Sequence, residues 1–362
     1  MITVNMRSSA TAIQGQGVGS CYTDQVELVK RNLQNKIQVY INRREKSDIY
    51  HYHTINPSYY MEHKILQKMG IGSGVCYVHF LPRTLEDSIK LPRVLRGVFY
   101  RYVIRFYNSM DYLVVVNPCF IKELREAGVK APKIHYIPNY VDESEFYQEH
   151  TQVVAQTKEK YGIKSNQFVV LGVGQVQVRK GVADFIEIAK SMPDTQFIWV
   201  GGFSFGRITK GYQELKNIMK HPPKNVRFTG IVKREEMRSL YNMANLFFLP
   251  SYDELFPMAI LEAMACKIPV LLRDLTQYRE VFQNYYLYGK TNSEFYRIIK
   301  EMEKSQEMKE IWSFQSRECK DHYSKHFIAG LWDDFYTQVV KENSVKMGVK
   351  NNNENLNHNG CV

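Results

Sequence analysis

A basic pair follows a glycine turn near the middle of the chain. Gly172 and Gly174 come at the end of an apolar run, and Arg179 and Lys180 directly precede Gly181, where a helical stretch begins. A strand, a glycine turn and a helix N-terminus together form an anion site, because unpaired backbone N–H groups and the helix dipole face the ligand. Arginine adds a planar fork of donors and lysine a compact charge, which suits a leaving diphosphate. The alternative is a solvated basic pair at the start of a helix.

Two carboxylates lie eight residues apart in the segment SYDELFPMAILEAMACKIPV. We predict Glu254 at the start of a helix and Glu262 two turns deeper. Carboxylates placed in this way can accept hydrogen bonds from the hydroxyls of an extended ligand, such as the hexose and the ribose of a nucleotide sugar. The alternatives are ordinary charge placement at a helix N-terminus for Glu254 and a paired, half-buried carboxylate for Glu262.

A second glycine turn follows the first apolar run, at Gly15, Gly17 and Gly19. In a protein of two α/β domains whose ligand lies at the carboxyl ends of the strands, this loop would face a ligand held by the other domain. The alternative is a flexible turn.

Short apolar runs alternate with amphipathic helical stretches along the chain, which is typical of an α/β protein with parallel sheets. The runs of a first unit are ITVNM, KIQVYIN, DIYHYH, GVCYVHF, YLVVVN and KIHYIP, and those of a second are FVVLGVG, QFIWVGG, VRFTG, LFFLPS and PVLLRD. The polar stretch 142–164 between them predicts a linker. We expect domains at 1–150 and 151–325, a C-terminal helix at 326–345 that packs back on the first domain, and a disordered tail at 346–362.

The composition narrows the class of protein. Of 362 residues, 44% are hydrophobic and 23% charged, as in a globular protein of two domains. Six scattered cysteines have no ligand spacing, and no Asp-x-Asp motif appears where a metal-dependent donor site would need it, so we predict no metal. No run is long enough to cross a bilayer and no signal peptide is recognisable, which predicts a cytoplasmic protein. The formal charge of +11 predicts a polyanionic partner: nucleic acid, anionic lipid or a phosphorylated substrate.

The segment 91–106 predicts an amphipathic helix. Its apolar side carries Leu95, Val98, Phe99, Tyr102 and Phe106, and its other side mostly Arg93, Arg96, Arg101 and Arg105. This pattern is typical of a helix lying in a membrane interface, where each cation contributes about 1 kcal/mol near an anionic leaflet. The alternative is a core-facing helix with a solvated basic face.

The motifs GVG…RKG, NVRFTGIV, LYNMANLFFLPSYDE and ELFPMAILE together resemble the retaining glycosyltransferases of family 4, which have the GT-B fold of two Rossmann-like domains with a cleft between them. The resemblance implies that Arg179 and Lys180 bind the donor diphosphate, Glu254 the hexose and Glu262 the ribose. DIYHYHT and VCYVHFLP resemble the two histidine-bearing strand ends of the family. The candidates for the reacting centre are therefore His79 and Glu254, and those around the nucleotide sugar are Gly17, Gly174, Arg179, Lys180, Glu254 and Glu262.

Three departures from the family pattern concern the sugar pocket. Tyr140 stands where the family often has glycine in Asn-Gly-Val-Asp, and Lys267 and Pro257 also replace common glycines. The choice between glucose and galactose stays open for this reason. Within the family, GQGVGSCYTDQVELVK, YVHFLPRTLEDSIKLP and YIPNYV resemble bacterial enzymes that add a second hexose to a monohexosyl diacylglycerol.

The resemblance implies a hexosyltransferase that uses UDP-glucose or UDP-galactose, holds no tightly bound cofactor, and acts on a glycolipid acceptor, monoglucosyl diacylglycerol, at the inner face of an anionic membrane. Retention would follow from front-face attack assisted by the donor phosphate, without a protein nucleophile. The alternatives are a family 4 enzyme acting on diacylglycerol or on a wall or capsular glycan, a nucleotide-sugar epimerase or hydrolase, and a non-catalytic binder of an anionic surface. Nucleic acid is not expected as a partner, because the aromatic residues form no recognisable RNA or DNA module.

Overall fold

The computed structural model describes residues 1–9, 17–79, 81, 93–130, 134–203 and 211–358. Within them the chain forms two parallel sheets of six strands each, so the predicted α/β architecture is confirmed. The first sheet has the order β2-β1-β3-β4-β5-β6, with β1 (Ile2–Arg7), β2 (Ile37–Ile41), β3 (Ile49–Tyr52), β4 (Ser73–Val78), β5 (Tyr112–Val115) and β6 (Ile134–Tyr136). Its helices are α1 (Gly17–Asn32), α2 (Pro57–Met69), α3 (Arg93–Ser109) and α4 (Cys119–Glu126).

The second sheet has the order β12-β11-β10-β7-β8-β9. Its strands are β7 (Val169–Val173), β8 (Gln196–Val200), β9 (Val226–Gly230), β10 (Leu246–Leu249), β11 (Val270–Arg273) and β12 (Leu287–Gly289). The helices are α5 (Thr151–Lys160), α6 (Val182–Lys190), α7 (Tyr212–Lys220), α8 (Arg234–Asn242), α9 (Met258–Ala265), α10 (Thr276–Phe282), α11 (Asn292–Lys304), α12 (Gln306–Asp321) and α13 (Lys325–His358). The central strands β7 and β10 read as continuous apolar runs because helices cover both faces of a parallel sheet.

The last helix, α13, returns to the first sheet. Lys325 at its start pairs with Asp142 at 2.6 Å, beside the stretch that joins the two sheets. Further along, Trp332 is buried, and the Tyr336 hydroxyl lies 2.8 Å from Nδ1 of His51 on β3. The part of α13 that carries Trp332 and Tyr336 therefore packs on the first sheet, where the helix contacts β3 and β4, the strands that lead to His53 and His79.

The tail differs from the sequence prediction. We predicted disorder for 346–362 because this segment has almost nothing to bury, but α13 continues through His358, and 359–362 lie outside the described residues. A helix that is already nucleated propagates at little cost, so the helical conformation can continue into a polar segment.

Helix α3 also differs from the prediction, because part of its apolar side packs inward. Phe106 is buried, Tyr102 donates to the carbonyl of Ile55 at 2.6 Å, and both rings contact Tyr60 of α2. Val98, predicted on the same side, is exposed. The core-facing alternative is therefore correct for the C-terminal half of the helix; the side chains of Arg93, Leu95 and Arg96 lie outside the described residues.

Candidate functional site

The loops that follow β7 and β10 are in close contact at the carboxyl end of the second sheet. The chain leaves β7 and forms a 3₁₀ turn, Val178–Lys180, before Gly181 and α6. Gly181 has a φ of 70°, and a Cβ on it would lie 2.2 Å from the carbonyl oxygen of Pro250, so only glycine allows this approach. The Tyr252 N–H donates to the Arg179 carbonyl at 2.7 Å. The loop after β10 is thereby fixed against the basic pair.

The basic pair meets Glu254 in this junction. Lys180 Nζ donates to Glu254 Oε1, which also accepts from the Ser251 hydroxyl at 2.8 Å. Arg179 lies 3.4 Å from the other carboxylate oxygen and donates to the Asp253 carbonyl at 3.2 Å. The structure thus brings together two cations and one carboxylate.

Gly174 completes this cluster from the end of β7. A Cβ on Gly174 would lie 3.5 Å from the Lys180 side chain. The carbonyl of Gly174 would lie only 2.0 Å from a Cβ on Gly201, which has a φ of 132°, so the two glycines let the ends of β7 and β8 approach closely. Gly174 therefore lies directly beside the Lys180 side chain.

The pKa shifts of Lys180 and Glu254 indicate that the two side chains form a charged pair. Burial alone would raise the pKa of Glu254, but Lys180 and Arg179 outweigh it and hold that pKa below its ordinary value of 4.5. Burial lowers the pKa of Lys180, and Glu254 opposes this shift. The site therefore presents donors that suit an anion beside an ionised acceptor that suits hydroxyls.

The predicted helical position of Glu254 is wrong. The helix α9 begins at Met258, and Glu254 lies in the loop before it. Pro257 stands immediately before the first helical residue, and a residue that precedes proline, here Phe256, is disfavoured in the helical conformation. Glu254 is thus free of the helix and can turn towards Lys180.

Glu262 lies on α9, apart from this cluster. Its carboxylate is buried and accepts from the Tyr241 hydroxyl at 2.6 Å. Burial raises the pKa of Glu262, although Tyr241 and Arg234 act in the opposite direction. The carboxylate is therefore paired, as in the alternative given for Glu262, and its partner is a tyrosine hydroxyl.

Arg234 brings charges from both halves of the chain next to Glu262. Its guanidinium donates to Glu145 at 2.7 Å and lies 3.8 Å from Asp24 of α1. Burial raises the pKa of Asp24, and Arg234 opposes this shift. One cation therefore links the first domain, the connecting stretch and the second domain at the cleft.

The histidines lie at the carboxyl ends of neighbouring strands of the first sheet. His53 follows β3 and His79 follows β4; both are buried, and His53 Nδ1 lies 3.3 Å from His79 Nε2. Burial lowers the pKa of His79 to about 3, so the ring is neutral at physiological pH. Both histidines belong to the first sheet, whereas the Glu254 cluster belongs to the second.

The predicted glycine loop near the N-terminus is only partly described. Gly17 and Gly19 form the first turn of α1 instead of a loop, and Gly15 lies outside the described residues. A helix N-terminus presents free backbone N–H groups, which the loop prediction did not anticipate. On the same helix, Cys21 and Asp24 line a small cleft between α1 and Met258 of α9.

Comparison with known proteins identifies the family. The model for "Glycosyltransferase Family 4" matches residues 26–145, and that for "Glycosyl transferases group 1" matches 153–318. The "Alpha-galactosylglucosyldiacylglycerol synthase" of Streptococcus pneumoniae is 42% identical over 335 residues, which covers 92% of this chain and 89% of that protein. The chain belongs to glycosyltransferase family 4. It is a hexosyltransferase, as the sequence predicted.

Other proteins similar to this family 4 enzyme support the same family and fold. The "Processive diacylglycerol alpha-glucosyltransferase" of Acholeplasma laidlawii is 31% identical over 232 residues, 63% of this chain and 68% of that protein. Among solved structures, sucrose-phosphate synthase from Thermosynechococcus elongatus has a TM-score of 0.78 at 16% identity over 94% of this chain and all of that one. Anabaena Alr3699/HepE in complex with UDP-glucose has a TM-score of 0.75 at 16% identity, over 93% and 100% of the two chains. These neighbours confirm the GT-B fold.

Several residues around the cleft of the family 4 enzyme were not anticipated from the sequence. They are Asp24, Asn117, Arg234, Tyr241 and Ser251. Asn117, after β5, donates to the carbonyl of Gln277 at 2.9 Å and so joins the first domain to the second near Glu254. Only Ser251 carried a local signal, because its spacing of three residues from Glu254 allows contact across one turn.

The described residues show neither a metal-binding cluster nor a membrane-spanning helix. No cluster of three or more His, Cys, Asp or Glu side chains in that part of the chain is arranged to hold a metal ion. Among the helices described, none combines the length and apolar character needed to span a bilayer.

Proposed function

We propose that the enzyme transfers a hexose from UDP-glucose or UDP-galactose to monoglucosyl diacylglycerol and so forms a dihexosyl diacylglycerol. The observation that carries the proposal is the junction where Lys180 and Arg179 meet Glu254 at the end of the second sheet. In this proposal residues 151–325 bind the nucleotide sugar, and 1–150 bind the acceptor and the membrane.

The chemistry of this junction suits departure of UDP. When the bond between the anomeric carbon and the phosphate oxygen breaks, negative charge grows on the diphosphate, and Lys180 and Arg179 stabilise it there. A new bond forms from the acceptor hydroxyl oxygen to the anomeric carbon, and the hydroxyl proton passes to the departing phosphate oxygen. Glu254 accepts hydrogen bonds from hexose hydroxyls, Glu262 accepts from the ribose, and Gly174 leaves room for the phosphates.

The acceptor is proposed from the relatives. The name of the Streptococcus pneumoniae relative describes a product in which galactose is attached to glucosyldiacylglycerol. This favours UDP-galactose as donor and the monoglucosyl lipid as acceptor. The name of the Acholeplasma laidlawii relative instead joins glucose to diacylglycerol. Diacylglycerol is therefore the second candidate acceptor.

A radiolabel assay tests the proposed reaction. Purified enzyme is incubated with labelled UDP-galactose or UDP-glucose and with micelles that contain an anionic phospholipid and either monoglucosyl diacylglycerol or diacylglycerol. We expect label in the extracted lipid with the monoglucosyl acceptor and little with diacylglycerol. Label in diacylglycerol alone would assign the second candidate, and release or epimerisation of the sugar without acceptor would contradict the proposal.

The proposed membrane contact lies on α2 and α3. Exposed Met61, Ile65 and Met69 recur every four residues along α2, and the exposed Lys64 and Lys68 stand between them. A row of apolar side chains flanked by lysines is typical of a helix face that enters an anionic leaflet. Val98, Arg101 and Arg105 are exposed on α3, which packs beside α2. We call these eight residues the α2–α3 face.

Vesicle binding tests the α2–α3 face. The double variant Met61→Ser/Ile65→Ser removes apolar area from the face, so we expect it to sediment less than the wild type with vesicles that contain phosphatidylglycerol. The matched control is Ile311→Ser/Phe314→Ser, which removes two exposed apolar side chains from α12 of the second domain. Equal loss of binding in the two variants, or equal binding of the wild type to phosphatidylcholine vesicles, would contradict the assignment.

A further inference from the structure

His53 and His79 share one hydrogen bond, and their separation restricts where the protons can lie. Nδ1 of His53 is 3.3 Å from Nε2 of His79, so one of these nitrogens carries a hydrogen and the other accepts it. Burial lowers the pKa of both imidazoles, which keeps each ring neutral with a single N–H. The tautomer of one histidine therefore fixes the tautomer of the other.

The buried nitrogen of His53 distinguishes the two arrangements. Among the residues that the structure describes, none offers its Nε2 a hydrogen-bond partner, and His53 is 1% exposed. If His79 donated, His53 would carry its hydrogen on this isolated Nε2, and a buried N–H without a partner is rarer than a buried acceptor without one. If His53 donates from Nδ1, only a lone pair is left unsatisfied. The second arrangement is favoured.

We propose that His53 is a positioning residue that donates from Nδ1 to Nε2 of His79, so that His79 carries its hydrogen on Nδ1 and can donate it to a bound substrate. This inference rests on the proposed function, in which His79 lies at the reacting centre. The ligand atom that suits such a donor is an oxygen of the nucleotide sugar or of the acceptor glycan. The ring stays neutral, so it offers a directed donor without a charge that would compete with Lys180 for the diphosphate.

The tautomers can be observed without any substrate. In ¹⁵N-histidine-labelled enzyme, long-range ¹H–¹⁵N spectra distinguish an N–H nitrogen from a bare one, and the His79→Gln variant assigns the His79 signals by their loss. We expect the Nδ1–H form for His53 and His79, which is the less common form of free histidine. The Nε2–H form at His79 in the wild type would overturn the proposal, whatever the activity of the enzyme.

Variants of His53 test the consequence for transfer. His53→Phe keeps a ring but removes the donor, so we expect the His79 tautomer to change and kcat/KM for the nucleotide sugar to fall about tenfold, the effect of one hydrogen bond. His53→Asn offers an amide donor and should retain the Nδ1–H form of His79 and most of the activity. If His53→Asn shows the same spectrum and kinetics as His53→Phe, His53 acts only through packing and the proposal fails.

A control and a double variant separate this role from folding. His51→Phe changes an equally buried histidine two residues earlier, on β3, whose Nδ1 contacts Tyr336 instead of His79, so the His79 signals should not change. His53→Phe/His79→Gln should be no slower than His79→Gln alone, because His53 acts through His79. Additive losses in the double variant would overturn the proposal, while failure of lipid transfer with intact tautomers would count against the proposed function only.

Discussion

Lys180→Ala is expected to lower kcat for sugar transfer by about 100- to 1,000-fold, the loss typical of removing one donor to a developing negative charge. The lysine ammonium is buried against Glu254 and lies beside the glycine turn where the diphosphate is proposed to leave. Glu254 keeps Arg179 and Ser251 as partners in this variant, so the carboxylate is not left isolated. Steady-state kinetics with labelled UDP-sugar measures the effect.

Lys158→Met is the matched control for this variant. Lys158 has the same 8% exposure as Lys180, but its ammonium donates to the carbonyls of Ser165 and Gln167 in the second domain. Loss of this lysine removes a buried cation without touching the proposed donor site, so we expect near wild-type kcat for the folded variant. A folded Lys180→Ala enzyme with full turnover would contradict the donor-site assignment.

The parts of the site that the sequence predicted are those encoded within short segments. Strand, glycine turn and basic pair follow one another between Gly172 and Gly181, so this loop and its place at the end of a strand could be predicted locally. The helix start at Met258 was also encoded locally, by Pro257, but the periodic apolar residues around Glu262 extended the predicted helix too far. Competing local signals explain this error.

The contacts that the sequence could not predict join distant segments. Asp24 and Arg234 come from different domains, and their contact depends on how the two domains meet. The exposed apolar row on α2 was missed for a related reason, because the two apolar faces of that helix look alike in sequence. Only the packing in the structure shows that Tyr60 contacts α3 while Met61 is exposed. Periodicity predicts that a helix has an apolar side but not which neighbour covers it.

Glu254→Gln is expected to destabilise the folded enzyme by about 3 kcal/mol near neutral pH, because it leaves a buried lysine without its counter-charge. The pKa of Glu254 is lowered in the folded state, so its stabilising effect is present above the ordinary value of 4.5 and disappears as the pH falls through the folded-state pKa. Urea unfolding at a series of pH values should therefore show that the difference in free energy of unfolding between wild type and variant disappears below about pH 4.5.

The control for this experiment is an exposed carboxylate. Glu27 pairs with Arg31 one helical turn away, and their side chains are 45% and 72% exposed, so Glu27→Gln should unfold like the wild type. A gap between Glu254→Gln and wild type that does not change with pH would show that packing of the side chain, and not its charge, stabilises the junction.

UDP binding gives Glu254→Gln a second and opposite effect. In the wild type, Lys180 and Arg179 are already neutralised in part by Glu254, so a bound diphosphate must share these cations with a carboxylate. Removing that negative charge leaves the cations to interact with the diphosphate alone, and a ligand stabilises a protein more when it binds the folded state more tightly. We therefore expect UDP to raise the Tm of Glu254→Gln more than that of the wild type, although sugar transfer falls. Equal Tm shifts would place the diphosphate away from these cations, because the affinity for a phosphate that contacts Lys180 must depend on the charge of Glu254.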